Sequence, residues 1–160
     1  MDLVIDKPAR LRGYALHRLV SEHLDGKPAL WADEGTQLRI RPIDAEAPRF
    51  EVGKLLAFTA TVCVALRNGR RHRYLPTNDW RTRRDWFDGE ASKHGFAVLG
   101  VHIKGGIQRV ETHDGRNFTL DASEFTGLLR ITDPEAFARC LTRGLGRVGK
   151  AFGLGMLCIQ

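Results

Sequence analysis

The turn, capping and apolar residues of positions 54–160 permit one order of elements and few others. From Lys54 a strand-like run extends to Leu66, and a turn at Asn68–Gly69 sends the chain back through RRHRYL as a hairpin. Thr77, Asn78 or Asp79 caps a helix that reaches about His94, where Gly95 stops it. Phe96–Ile103 reads as a strand, Gln108–Val110 and Phe118–Leu120 flank a turn at Asp114–Gly115, and residues 127–131 form a further strand. Asp133–Pro134 then opens a helix, with Asp at the N-cap and Pro in the first turn, whose Phe137, Cys140 and Leu141 face a core. That helix ends at Gly144, and a glycine-rich loop leads into a last strand, Met156–Ile159.

Strand, helix, strands, helix, strand is the β-α-β-β-α-β order of a ferredoxin-like, RNA-recognition-like unit. The first half starts in the same way. Leu3–Ile5 reads as a strand, and Pro8 suits the first turn of a helix that shows Leu16, Leu19, Val20 and Leu24 on one face. Residues 29–33 and 37–42 form strands around a Glu34–Gly35 turn, after which no second helix or fourth strand is visible. The predicted fold class is therefore α+β, with two tandem ferredoxin-like units, the N-terminal one truncated. The first spans residues 1–53 and the second 54–160, and 160 residues are enough for both.

Charge is unevenly placed along this frame. The chain has a net charge of +6, and residues 67–84 hold seven arginines (Arg67, Arg70, Arg71, Arg73, Arg81, Arg83, Arg84) against one acid, Asp79. The remainder is balanced, so an anionic partner at a defined place is expected. Arginine outnumbers lysine 19 to 6, which suits phosphate recognition because the guanidinium fork binds two oxygens at once. His72, Tyr74 and Trp80 interleave with these bases.

The N-terminus, MDLVIDKPAR, lacks the apolar core of a signal peptide, and the apolar stretch Leu55–Leu66 is too short to span a bilayer. Three dispersed cysteines (Cys63, Cys140, Cys158) in apolar contexts read as reduced thiols, so a cytoplasmic protein without a membrane role is expected. No Cys-x-x-Cys, His-Glu-x-x-His or acidic loop is present, and neither a metal nor a small-molecule cofactor is expected.

The C-terminal loop, GLGRVGKAFGLGML, sets Gly144, Gly146, Gly149, Gly153 and Gly155 around Arg147 and Lys150. Two readings stand beside each other: glycines that let backbone N–H groups and neighbouring bases approach a phosphodiester, and glycines that let a crossover pack tightly. The loop is neither a Walker nor a Rossmann loop, because it runs from a helix to a strand. At the other end, Tyr14 and His17 stand three residues apart and project from one helix face. His23, His94, His102 and His113 have no partner at such spacing and are read as structural.

The stretch GLLRITDPEAFARCLTRGLGRVGKAFGLGMLCI, together with Tyr14-Ala15-Leu16-His17 and Asp85-Trp86-Phe87 through Gly95-Phe96, resembles the CRISPR-associated repeat-RNA endoribonucleases of the CasE type that belong to Cascade complexes. Six residues separate the two Gly-x-Gly pairs, one more than the family pattern, and Asp88, Gly89 and Glu90 stand where family members often carry bases. The resemblance implies metal-independent cleavage of CRISPR repeat RNA next to a stem-loop. The 2′-hydroxyl attacks its own phosphodiester, leaving a 2′,3′-cyclic phosphate and a 5′-hydroxyl.

It implies His17 as the group that moves a proton near neutral pH, as base on the 2′-hydroxyl or acid on the 5′-oxygen. Tyr14 then orients the nucleophile or stabilises the phosphorane. The implied RNA contacts are Arg67, Arg70, Arg71, His72, Arg73, Arg81, Arg83, Arg84, Arg147 and Lys150, with Tyr74 and Trp80 as platforms for an unpaired base. The implied partners are the repeat stem-loop and other effector-complex subunits. A non-cleaving subunit that only holds the hairpin, and an unrelated RNA-recognition-like module, are the alternatives.

Overall fold

Short polar links and positive-φ glycines shape the first unit of the computed structural model, which describes residues 2–68, 71–73, 75–112 and 114–160, with only the backbone of Arg67, Asn68, Arg71 and His72. Its elements are β1 (Leu3–Asp6), α1 (Tyr14–His23), β2 (Ala29–Asp33) and β3 (Gln37–Pro42). They form an antiparallel sheet in the order β1-β3-β2, with Ile40 opposite both Leu3 and Trp31. This is the opening of a ferredoxin-like unit, and residues 43–54 supply neither its second helix nor its fourth strand. The sequence puts Pro8 in the first helical turn, but the helix begins at Tyr14. Gly13 takes φ 56° and ψ −126°, outside the helical region, so the turn that starts at Pro8 cannot continue into α1.

The second unit contains β4 (Leu55–Val62), the hairpin β5 (Leu66–Asn68) and β6 (Arg71–Arg73), α2 (Trp80–Lys93) and β7 (Phe96–Lys104). A second hairpin, β8 (Ile107–Glu111) and β9 (Asn117–Asp121), precedes β10 (Ser123–Ile131), α3 (Pro134–Arg143) and β11 (Leu157–Ile159). The main sheet has the order β11-β4-β10-β7, which places the fourth core strand beside the first, as a ferredoxin-like unit requires. Both hairpins are separate two-stranded ribbons inserted into this frame. Asp79 is the N-cap of α2, accepting from Thr82 N, and Asp133 caps α3 by accepting from Glu135 N and Ala136 N.

Two strand limits differ from expectation by four residues each. β4 stops at Val62 rather than Leu66, because Val64 N–H turns away to the Asp121 carboxylate at 3.3 Å. β10 starts at Ser123 rather than 127. Its polar residues Glu124 and Thr126 alternate with buried Ser123 and Phe125, so they occupy the open face of the sheet.

The main core is aromatic. Phe87 of α2 stacks on Phe125 with centroids 4.2 Å apart and on Phe58 at 5.6 Å, while Phe96 meets Phe137 edge-on at 5.8 Å. A smaller core holds Leu16, Val20, Trp31, Leu38 and Ile40. Arg41 of β3 joins the two. It pairs with Asp2 through Nε at 2.6 Å and donates Nη1 to the carbonyls of Leu141 and Leu157 at 2.9 and 3.0 Å.

Candidate functional site

α1 carries the Tyr14–His17 pair that the sequence singled out. Their ring centroids lie 5.9 Å apart with planes inclined at 46°, and both side chains are half-buried. The start of α1 abuts the second unit, since a Cβ on Gly13 would lie 3.6 Å from the backbone of Glu111 at the end of β8. The helix has no side-chain cap and no acid in its first turn. Beside it, Gln108 Nε2 of β8 donates to the Phe152 carbonyl at 3.1 Å, and Phe118 of β9 meets the Phe152 ring edge-on at 5.5 Å. The hairpin, the glycine-rich loop and α1 thus enclose a cleft of about 1030 Å³. Its wall includes Lys7, Arg12, Arg109, Glu111 and Glu124. Gly13, just before α1, and Leu16 of α1 lie on that wall, and Tyr14 and His17 lie outside it.

The glycine-rich loop is tightly packed at four of its five glycines, Gly144, Gly149, Gly153 and Gly155. Gly153 (φ 80°) lies so close to Trp31 that a Cβ would stand 2.6 Å from the ring, and at Gly155 (φ 93°) it would stand 2.6 Å from the Leu145 carbonyl. Gly144, Gly146 and Gly149 also have positive φ. Loop N–H groups at Gly144, Leu145, Gly153, Leu154 and Gly155 donate to backbone carbonyls, and Gly146 N donates to Glu90 Oε2 at 3.2 Å. A 3-10 turn at Lys150–Phe152 lies within the loop. Lys150 Nζ donates to the Arg143 carbonyl at 2.6 Å, at the C-terminal end of α3, and burial pushes its ammonium below the usual lysine range. Arg147 is exposed.

Glu90 is a residue that sequence reasoning missed. It stands among acids that replace family bases, yet it brackets the loop from α2, and the Trp86 ring lies against Gly146 beside it. The His94 imidazole 3.7 Å away, followed by Lys93 and the Gly146 N–H, holds its carboxyl down at about 2 against the opposing effect of burial. No local signal separates such an acid from a solvated one. Asp88 pairs with Arg84 at 2.7 Å within the same helix.

The arginine stretch divides. Arg73 and Arg81 are exposed, and Arg81 lies 5.3 Å over the ring of Trp80, which is 56% exposed. Trp80 and Arg84 line a shallow groove with Val101, His102 and Ile103. Arg83 corrects the expectation of an RNA contact: it is 0% exposed and ion-paired with Asp121 at 2.5 Å, so no ligand can reach it. Arg70 and Tyr74, with His113, lie outside the described residues, as do the side chains of Arg67, Arg71 and His72. Among the described residues no group of three or more His, Cys, Asp and Glu is placed to hold a metal ion, and no helix is long and apolar enough to cross a membrane.

The sheet orders define a protein of two ferredoxin-like units in tandem, the first incomplete. The family described as CRISPR associated protein matches residues 14–160, and the chain belongs to that family. Solved structures share the fold over almost their whole length. The CRISPR endoribonuclease Cse3 bound to a 19-nucleotide RNA is 21% identical, with a TM-score of 0.82 over 99% of this chain and 98% of that one. Thermus thermophilus Cse3 bound to an RNA representing a pre-cleavage complex is 22% identical (TM-score 0.76, 99% and 97% covered). Cas6e from Escherichia coli K-12 is 20% identical (0.73, 99% and 98%). No curated protein matches the chain.

Proposed function

We propose that this chain is a CasE-type endoribonuclease that cleaves CRISPR repeat RNA beside its stem-loop and stays on the product hairpin with other subunits of an effector complex. The observation that carries this reading is the Tyr14–His17 pair, one helical turn apart at the start of α1, in a fold shared with RNA-bound endoribonucleases. A protein of the same fold, 16% identical, belongs to a CRISPR RNA-guided surveillance complex, which supports retention in an assembly.

In the proposed reaction the 2′-oxygen forms a bond to phosphorus as its proton passes to a base, and the bond from phosphorus to the 5′-oxygen breaks as that oxygen takes a proton from an acid. His17 occupies one of these two roles, and the Tyr14 hydroxyl orients the attacking hydroxyl or donates to a phosphoryl oxygen. No step calls on a metal.

Arg73, Arg81, Arg84 and Arg147, with Arg67, Arg70, Arg71 and His72 from the sequence, bind the phosphates of the stem, and Trp80 offers a stacking face. Lys150 serves the C-terminal end of α3 instead. The loop's contribution to phosphate binding falls to residues 147–151, since the flanking N–H groups already have protein acceptors. We place the boundary between the units at residues 53 and 54, and the protein in a reducing cytoplasm. The second placement is supported by three free thiols, two of which, Cys63 and Cys140, burial pushes up to about 11 and about 12.

The test is incubation with the cognate repeat RNA in EDTA, followed by end-group analysis. A single cut leaving a 2′,3′-cyclic phosphate and a 5′-hydroxyl is expected. An absolute need for Mg²⁺ would overturn the chemistry, and tight binding without a cut would identify a hairpin-holding subunit.

A further inference from the structure

The arginine-bearing hairpin β5–β6 belongs to neither main sheet, so among the described residues no ladder of backbone hydrogen bonds sets its angle to the rest of the unit. Both of its legs are instead fastened to one buried ion pair. Arg83 donates Nη2 to Asp121 Oδ2 at 2.5 Å and Nε to Ser123 Oγ at 2.7 Å, and its Nη1 donates to the carbonyls of Pro76 and Asp79 at 2.6 and 3.1 Å. The other Asp121 oxygen accepts from Ser123 Oγ at 2.5 Å and from Val64 N at 3.3 Å. Val64 lies just before β5 and Pro76 just after β6, so the incoming leg is held by the carboxylate and the outgoing leg by the guanidinium.

We propose that Arg83 and Asp121 are positioning residues, a clasp that holds the basic hairpin at the angle from which its arginines grip the RNA stem without itself touching RNA. This rests on the RNA-binding reading above. Phosphate recognition along an A-form stem is recognition of shape, so several cations must meet phosphates at fixed spacings. A planar guanidinium with fixed donor directions sets such an angle more strictly than apolar packing does. Stability alone does not demand the pair, because a buried ion pair replaced by apolar residues of similar volume is often neutral or stabilising. Asp121 also ends β9, so the same clasp ties the hairpin that borders the cleft to the one that carries the charge.

The test uses the full chain, a repeat hairpin RNA and the double substitution Arg83→Met with Asp121→Leu, with folding followed by thermal melting. The clasp predicts a folded variant whose Kd rises by about ten-fold or more and whose log Kd against log salt slope falls by about one contact. The single-turnover rate at saturating RNA stays within about three-fold, because the α1 pair is untouched. A folded variant with unchanged Kd and salt slope overturns the proposal, and so does a saturating rate that falls in step with affinity. If the double variant does not fold, Arg83→Lys takes its place. It keeps the charge but cannot span Pro76 and Ser123 together, and wild-type affinity in that variant overturns the clasp. Failure of the wild-type chain to bind the hairpin RNA in the same assay would instead overturn the functional reading.

Discussion

His17 and Glu90 are both residues whose chemistry depends on a proton, and they lead to opposite kinds of prediction. Replacing His17 with Ala is expected to lower single-turnover cleavage by about 10²–10⁴-fold with RNA affinity nearly unchanged, as for loss of a proton-transfer group; undiminished cleavage in that variant would remove His17 from the reaction. Glu90 concerns stability. Its carboxyl is held at about 2, below the ordinary 4.5, so its contribution is fully present above about pH 4.5 and is lost as pH falls toward 2. Glu90→Gln should therefore lower Tm at pH 7, and the gap to wild type should close across that acid window. A gap that persists unchanged at pH 2 would show that the carboxylate is not the stabilising group. Tyr14 and His17 can be read from spacing because both lie on one helix. Glu90 cannot, because its partner Gly146 is 56 residues away.

Among the elements, the hairpin β5–β6 with the start of α2 carries the prediction about binding. Replacing Arg70, Arg71 and Arg73 together should weaken RNA binding and flatten its salt dependence, since binding through fewer phosphate contacts releases fewer counterions. An unchanged slope, measured by titration across salt concentrations, would move the RNA groove elsewhere. Element order is legible in the amino-acid sequence, down to the Asp133–Pro134 start and Gly144 stop of α3, because caps and periodicity act within a few residues. The limits of β4 and β10 are not. β4 ends where the chain leaves the sheet for Asp121, and the polar open face of β10 hides half its length from a reading based on apolar runs.

At the scale of the whole molecule, the two units meet through Arg41, whose partners lie up to 116 residues away. Arg41→Ala would leave two carbonyls without their donor and the Asp2 carboxylate with Arg39 alone, 3.8 Å away, at a cost of about 2–3 kcal/mol. Urea denaturation should show that loss, and a change within a few tenths of a kcal/mol would mean that apolar packing alone holds the units together. The sequence by itself determined the tandem, truncated ferredoxin-like plan, the cluster of positive charge and the Tyr–His helix, all of which follow from residues close together in the chain. Only the tertiary structure decided which of those charges can meet a ligand. Arg83 and Arg81 are two positions apart in one helix, yet one is sealed against Asp121 and the other lies over Trp80 at the surface. Burial is a property of what packs against a residue, and those neighbours come from strands far along the chain.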